Sequence, residues 1–196
     1  PFLLHDMEKA VERILQAIKA NETIVIYSDY DCDGIPGAVV LHDFFKAVGY
    51  QNFHNYIPHR HYDGFGLSAK AVLSIKEKYN PTLIITIDCG TTDIEAVKQA
   101  REQNIEVIIT DHHEPKEEFP DALAVVNPKV GNTYPFTGLC GAGVIFKLVQ
   151  ALIARGGFAI PAGLEKWWLD MVGVATIADM VPLVDENRVF STYGLK

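Results

Sequence analysis

The sequence predicts an α/β domain: a mostly parallel five-stranded sheet with helices on both faces, continued by a C-terminal helical extension. Three observations carry that prediction. Five short aliphatic runs, at 23–28, 53–57, 83–87, 107–110 and 123–126, have strand length and are bounded by turn residues. Most are separated by segments of helical periodicity, so successive strands are joined by crossovers and run parallel. Three of the runs end in aspartate. In a parallel sheet every carboxyl end lies on one edge, where open α/β sheets hold their ligands.

The elements follow in order. Residues 6–19 place Met7, Val11, Ile14, Leu15 and Ile18 on one face with charges opposite, the pattern of an amphipathic helix. The run 23–28 is the first strand. Residues 35–48 are apolar on most sides and predict a largely buried helix, stopped at Gly49. The second strand, 53–57, leads into a glycine-bearing loop at 58–66, and Ser68 caps a helix reaching about Tyr79. The third strand, 83–87, ends in Asp88-Cys-Gly. A helix over 93–103 precedes the fourth strand, 107–110, which ends in Asp111-His-His-Glu. A short fifth strand covers 123–126. A loop with Asn127-Pro128, Gly131 and Pro135 leads to a helix over 141–154, and a Gly/Pro-rich turn precedes a last strong helix from 164 to about 179. With no repeat, low-complexity tract or clear linker, the chain is expected to be one domain, 156–196 being the helical extension.

Composition sets the outer bounds. The chain has 196 residues, 48% of them hydrophobic, enough for a sizeable core. No apolar run approaches the roughly 18 residues that span a bilayer, and no secretory leader pattern is visible. Three widely spaced cysteines form no disulfide framework, which fits a reducing, cytoplasmic compartment. The net charge of −8 argues against a simple basic nucleic-acid surface, a weak objection where metals neutralise an acidic site. The chain opens on Pro1 rather than Met, which predicts a fragment or a processed product.

The chemistry concentrates at the strand ends. Asp29, Asp31 and Asp33 follow the first strand, Asp88 the third, and Asp111, His112 and His113 the fourth. Crowded carboxylates repel, and a bound cation relieves the repulsion. Oxygen-rich ligands with one or two imidazoles suit Mn²⁺ or Mg²⁺. A carboxylate shared by two such ions serves phosphoryl displacement, and Asp88, alone on a central strand, is the expected bridge. Asp179 is the only charge in the apolar stretch 171–184; it is either a metal ligand or a turn cap before Pro182. An EF-hand fails, because its twelfth position counted from Asp29 is Val40 and a strand precedes it. A zinc site on Cys32 and Cys89 lacks a C-x-x-C pair. Arg60, in His59-Arg-His61, either grips a phosphate or is a solvated loop charge. Gly141, with Gly138 and Gly143, either offers amides to a phosphate or permits close helix packing.

Asp29-Tyr-Asp-Cys-Asp-Gly34, Ile87-Asp-Cys-Gly90, Thr110-Asp-His-His113 and Gly173-Val-Ala-Thr-Ile-Ala-Asp-Met-Val-Pro-Leu183 stand in the order found in the DHH-family phosphoesterases. The chain resembles that family, and within it the single-strand-specific DNA exonucleases, over essentially its whole length. Pro1-Phe-Leu-Leu-His-Asp-Met7, Gly64-Phe-Gly-Leu67, Cys140-Gly-Ala-Gly143 and Glu186-Asn-Arg188 add to the match. The resemblance implies two ions, Mn²⁺ or Mg²⁺. Asp31 and Asp88, with Asp29, would hold one; Asp33, Asp88, His112 and Asp179 would hold the other. His113 would orient the site or contact the scissile phosphate, and Cys32 has no assigned role. It further implies in-line hydrolysis releasing 5′-mononucleotides in the 5′→3′ direction from single-stranded DNA, in repair and recombination, with single-strand-binding protein or helicase as possible partners. The family's second domain, with its Gly-His motif, has no counterpart in these residues, so the 196 residues are expected to be the catalytic domain alone, binding metal but degrading DNA weakly. Two other functions stay open: a phosphodiesterase for short oligonucleotides or cyclic dinucleotides, and a non-catalytic metal-binding replication or repair module.

Overall fold

The computed structural model describes residues 1–60 and 63–196. His61 and Tyr62, part of the loop expected at 58–66, lie outside the described residues.

Five strands form one sheet: β1 (Ile24–Ser28), β2 (Phe53–Tyr56), β3 (Leu83–Ile87), β4 (Glu106–Thr110) and β5 (Ala124–Val126), in the order β2-β1-β3-β4-β5. Every pairing is parallel, with Ile24 opposite Leu83, Ile87 opposite Thr110 and Thr110 opposite Val126. The chain leaves β1 toward β2 and then returns to the far side of β1 with β3. The β1/β3 boundary is therefore the topological switch point, the place where an open α/β sheet leaves a crevice.

β1 and β3 are buried along their full length, which is why their sequences are continuous aliphatic runs rather than alternating ones. Alternate residues feed two cores. Ile24, Ile26, Leu83, Ile85 and Ile108 pack under α1 (Met7–Ala20), α2 (Gly34–Ala47) and α5 (Gly141–Gly156). Val25, Tyr27, Ile84, Val107 and Ile109 pack under α3 (Ala69–Tyr79) and α4 (Ile94–Glu102). Crossovers running in opposite directions along a sheet must lie on opposite faces if all are right-handed, and α2 lies opposite α3 and α4 accordingly. Ser68 caps α3 as expected, its hydroxyl accepting the Ala71 N–H at 3.1 Å.

The C-terminal region differs from its sequence reading in two ways. The single helix expected over 164–179 is a 3₁₀ turn (Leu164–Trp168) running into α6 (Leu169–Ala178). A further helix, α7 (Asp185–Gly194), follows. It escaped the pattern because only Asn187 and Phe190 of its ten residues are buried, too few for an apolar stripe. It packs on α6 through a glycine contact. A Cβ on Gly173 would sit 3.0 Å from the Gly194 Cα, so the two backbones touch where a side chain would part them. Among the described residues, no helix is long and apolar enough to cross a membrane.

Candidate metal centre

The ladder hydrogen bonds of the sheet continue one residue beyond three strands. Asp29 N–H reaches the Ile87 carbonyl at 3.1 Å, Asp88 N–H the Thr110 carbonyl at 2.9 Å and Asp111 N–H the Val126 carbonyl at 3.1 Å. Three aspartates from positions far apart in sequence are thereby laid side by side across the switch point.

Each loop then shapes itself with short-range hydrogen bonds. After β1, Asp31 Oδ1 accepts the amides of Asp33 (3.3 Å) and Gly34 (3.0 Å), which turns the chain into α2. A Cβ on Gly34 would lie 2.6 Å from the Asp29 carbonyl oxygen, so the turn requires glycine. Asp33 occupies the N-cap position of α2 but does not cap it. Its Oδ2 instead accepts the Gly141 N–H, at 2.5 Å, from the first turn of α5. After β4, Asp111 accepts four hydrogen bonds: Oδ1 takes the amides of His112 (2.7 Å) and His113 (3.1 Å) and the His113 Nδ1–H (2.7 Å), and Oδ2 takes the Thr91 N–H (3.0 Å). Asn127 completes the support by donating to the His113 carbonyl at 3.0 Å and to the Thr91 hydroxyl at 3.1 Å.

The side chains so placed form three overlapping groups, each with ligand atoms within 4.8 Å of one another: Asp29, Asp31 and Asp88; Asp33, His112 and Asp179; and Asp88, His112 and His113. His112 Nε2 lies 3.1 Å from Asp88 Oδ1 and 3.8 Å from both Asp33 Oδ2 and Asp179 Oδ2. His113 Nδ1 lies 3.8 Å from Asp88 Oδ1. Asp88 thus belongs to the first and third groups and touches the second through His112.

Asp88 is the anomaly that explains the rest. It is 1% exposed, and among the described residues no hydrogen bond reaches either of its carboxylate oxygens; His112 stands in ion-pair range only. Asp179 Oδ2 is likewise buried and without a hydrogen bond. The Asp88 backbone sits at φ 61°, the left-handed region that costs a non-glycine residue about 1 kcal/mol or more. An unpaired buried carboxylate carries a penalty of several kcal/mol. Burial, and then the neighbouring charges of Asp88 and Asp179, push the Asp33 carboxyl far above its ordinary range. Burial and Asp31 do the same to Asp88, and burial raises Asp179 and Asp29. Asp31 is the exception: burial would raise it too, but the two loop amides outweigh that and hold it low. The donor set is hard oxygen with imidazole, and the charge is unbalanced. Divalent cations of the Mn²⁺ or Mg²⁺ kind fit it.

Asp111 and His113 are built the other way. Burial alone would raise the Asp111 carboxyl, but the His113 hydrogen bond and the Thr91 bonds bring it down to about 2. That same Asp111 bond lifts His113 to about 9. Asp111 therefore orients the two histidines and is too engaged to serve as a free ligand, a role the sequence did not distinguish from that of its neighbours.

The remaining sequence readings resolve as follows. Asp179 ends α6 beside His112 rather than closing a turn with its own hydrogen bonds, geometry that favours the ligand reading. For Gly141 the geometry favours close packing. Its N–H is engaged by Asp33, and a Cβ there would lie 2.6 Å from Asp88 Cβ, so its amide does not face a phosphate. Cys32 is exposed and Cys89 buried, and neither joins a metal-capable group among the described residues. The Arg60 guanidinium lies over the rings of Tyr30 (5.6 Å) and Phe65 (5.8 Å). Phe65 is 74% exposed and lines, with Gly66, Asp29, Asp88, Asp111 and His113, a cleft of about 240 Å³. Phe65 was not singled out from sequence. The available signal was an aromatic residue between two glycines in a polar loop.

Sheet and site together define an α/β domain with a carboxylate–imidazole centre at its switch point, of a composition that could hold divalent cations. Residues 23–176 match the model of the DHH family, N-terminal domain, and the chain belongs to that family. It is 46% identical over 198 residues to the single-stranded-DNA-specific exonuclease RecJ of Bacillus subtilis, covering all of this chain and 24% of that protein. A crystal structure of exonuclease RecJ bound to manganese superposes with a TM-score of 0.87 at 34% identity, covering 98% of this chain and 48% of that one. The RecJ of Thermus thermophilus in complex with Mn²⁺ gives 0.80 at 31% identity, over 97% of this chain and 27% of that one. The chain thus spans about a quarter to a half of these relatives.

Proposed function

We propose that this chain is the metal-binding catalytic domain of a cytoplasmic single-strand-specific DNA exonuclease, working in repair and recombination on two divalent ions, Mn²⁺ or Mg²⁺. The observation that carries the proposal is Asp88: buried, its carboxylate reached by no hydrogen bond among the described residues, backbone-strained, and shared between an aspartate group and a histidine group. The likeness to manganese-bound RecJ structures supports the choice of ion and substrate.

Asp29, Asp31 and Asp88 would hold one ion; Asp33, Asp88, His112 and Asp179 the other. Bound there, such a pair polarises a phosphodiester and activates water. The chain's own residues do the rest. Asp111 fixes the His113 imidazole through one hydrogen bond and the backbone of both histidines and of Thr91 through three more, and Asn127 braces the loop from behind. His113 donates Nδ1–H to Asp111, and that bond raises its pKa to about 9, which favours the doubly protonated ring in the metal-free protein. Its side chain is 59% exposed, which leaves Nε2–H to meet a phosphate oxygen and stabilise developing negative charge. Arg60 stacks over Phe65, a residue that lines the cleft, where a guanidinium would meet a second phosphate.

The test is hydrolysis of a long 5′-phosphorylated single strand by the full-length protein with Mn²⁺, set beside duplex DNA and a cyclic dinucleotide. Release of mononucleotides from the single strand alone is expected. Preference for the dinucleotide would move the chain to the small-substrate phosphodiesterases, and no hydrolysis of any of them would make it a metal-binding module.

A further inference from the structure

One wall of the cleft is held by a single peptide gripped from both sides. The Gly66–Leu67 peptide carries one carbonyl and one N–H. The Tyr27 hydroxyl donates to the Gly66 carbonyl at 2.7 Å, and Asp93 Oδ2 accepts the Leu67 N–H at 2.7 Å. Tyr27 is fully buried in β1, its ring stacked on Tyr56 at 5.6 Å and 12°. Asp93 stands at the N-cap of α4, yet its side chain makes no cap hydrogen bond to that helix. Its carboxylate is turned away from the usual duty of an N-cap aspartate and onto the neighbouring loop. Gly66 lies at φ +67°, and a Cβ there would stand 2.7 Å from Asp93 Oδ2, so glycine and aspartate are matched to each other.

What the grip holds is the residue just before it. Phe65 projects 74% exposed, 5.9 Å from Tyr30, with the Arg60 guanidinium over both rings. Phe65, Gly66 and Asp93 itself line the same cleft as Asp29, Asp88 and His113. Neither Tyr27 nor Asp93 belongs to any metal-capable group among the described residues. A glycine-flanked loop left unanchored would sample many conformations, each of which must be given up when a strand binds.

We propose that Asp93 and Tyr27 are positioning residues that clamp the Gly66–Leu67 peptide, fix Phe65 in the cleft wall with Arg60 stacked on it, and so set the affinity for the strand without touching the chemistry. The proposal rests on the nuclease reading of this cleft. It separates substrate seating, carried by β1 and α4, from metal binding, carried by the strand-end carboxylates.

The test uses the full-length protein with Mn²⁺ and a 5′-phosphorylated single strand, and the variants Asp93→Ala, Asp93→Asn and Tyr27→Phe. Asp93→Ala is expected to raise KM about tenfold, the equivalent of roughly 1.4 kcal/mol, with kcat within about twofold and calorimetric Mn²⁺ affinity unchanged. Asp93→Asn keeps an acceptor oxygen and should stay near wild type. Tyr27→Phe should raise KM about threefold, and the double variant Tyr27→Phe/Asp93→Ala should fall short of the product of the single effects, because both grip one peptide. An unchanged KM in Asp93→Ala, an Asp93→Asn as impaired as Asp93→Ala, or a loss confined to kcat would overturn the clamp. Hydrogen exchange at the Leu67 amide gives a readout independent of activity. Protection should fall most in the variants carrying Asp93→Ala, less in Tyr27→Phe and not in Asp93→Asn, with the β3 amides unaffected, and equal protection in all variants refutes the proposal. Should the wild type hydrolyse no single strand, the nuclease reading fails while the exchange result still decides the clamp.

Discussion

The two ends of the sheet are built on opposite principles. At the amino end, acidic groups are paired. Arg13 lies between Glu22 (2.6 Å) and Glu106 (2.5 Å), Thr82 donates to Glu22 at 2.5 Å, and Asn52 donates to the Asn21 carbonyl at 2.8 Å. The Glu22 carboxyl is held below its ordinary range, chiefly by Arg13. At the carboxyl end, Asp33, Asp88 and Asp179 crowd together, their carboxyls are raised, and among the described residues no hydrogen bond reaches the Asp88 carboxylate. The same sheet carries both, so the difference lies in what each end is for. One end closes its charges among protein groups and stabilises the fold. The other leaves them open for cations and destabilises the fold until these arrive, the usual relation between a functional site and its scaffold.

The sharpest way to break that comparison is Asp88→Asn. Asparagine tolerates positive φ and removes one of the crowded charges. Activity should fall by about 10²–10³-fold or more, while the metal-free protein should unfold at an equal or higher temperature. A metal-free variant that melts well below wild type would mean that Asp88 stabilises the fold, and the contrast would collapse. Next in size is Gly141→Ala, whose Cβ meets Asp88 at 2.6 Å. It should weaken Mn²⁺ binding roughly 10–100-fold and cost about 1–3 kcal/mol through overpacking. Wild-type Mn²⁺ affinity in that variant would show that Asp88 needs no such support.

The pH dependence follows from the signs of the shifts. Asp33 and Asp88 have raised pKa values, so the metal-free fold binds more protons than the unfolded chain, and it loses stability as pH climbs from the ordinary carboxylate range near 4 through neutrality. Divalent ions displace those protons. Added Mn²⁺ should therefore raise the melting temperature by roughly 5–10 °C at pH 8 and by less than half that at pH 5.5. An equal shift at both pH values would contradict the raised carboxyls. The Asp111–His113 pair works in the other sense. Its stabilisation fades as pH falls toward the Asp111 value of about 2 or rises from the ordinary histidine value of 6.5 toward the His113 value of about 9. The smallest effect belongs to the amino end: Arg13→Met should cost about 1–2 kcal/mol and leave Mn²⁺ affinity untouched. A change in metal binding there would mean the two ends are coupled.

Much of this was legible in the chain itself, for definite reasons. A parallel sheet writes its central strands as unbroken aliphatic runs, and the run 83–87 is β3 residue for residue. Parallel pairing makes strand ends converge, so Asp29, Asp88 and His112 could be placed together without a structure. Other features left no such mark. α7 buries too little to show a period. The sequence singles out Asp88 as the expected bridge but gives Asp111 no role, and only hydrogen-bond geometry shows Asp111 engaged with His113 while the Asp88 carboxylate receives no hydrogen bond among the described residues. The clamp on Gly66–Leu67 joins Tyr27 and Asp93 across 66 positions, a contact that exists only once β1, the loop and α4 are assembled.

The central claim is that Asp88 is shared between two cation sites. The direct measurement is a crystal of the protein soaked in Mn²⁺ and recorded at the manganese absorption edge. Two anomalous peaks are expected in the cleft, one among Asp29, Asp31 and Asp88, the other among Asp33, Asp88, His112 and Asp179, with an Asp88 oxygen in reach of both. A single peak, or two peaks that leave Asp88 without a metal, would contradict it.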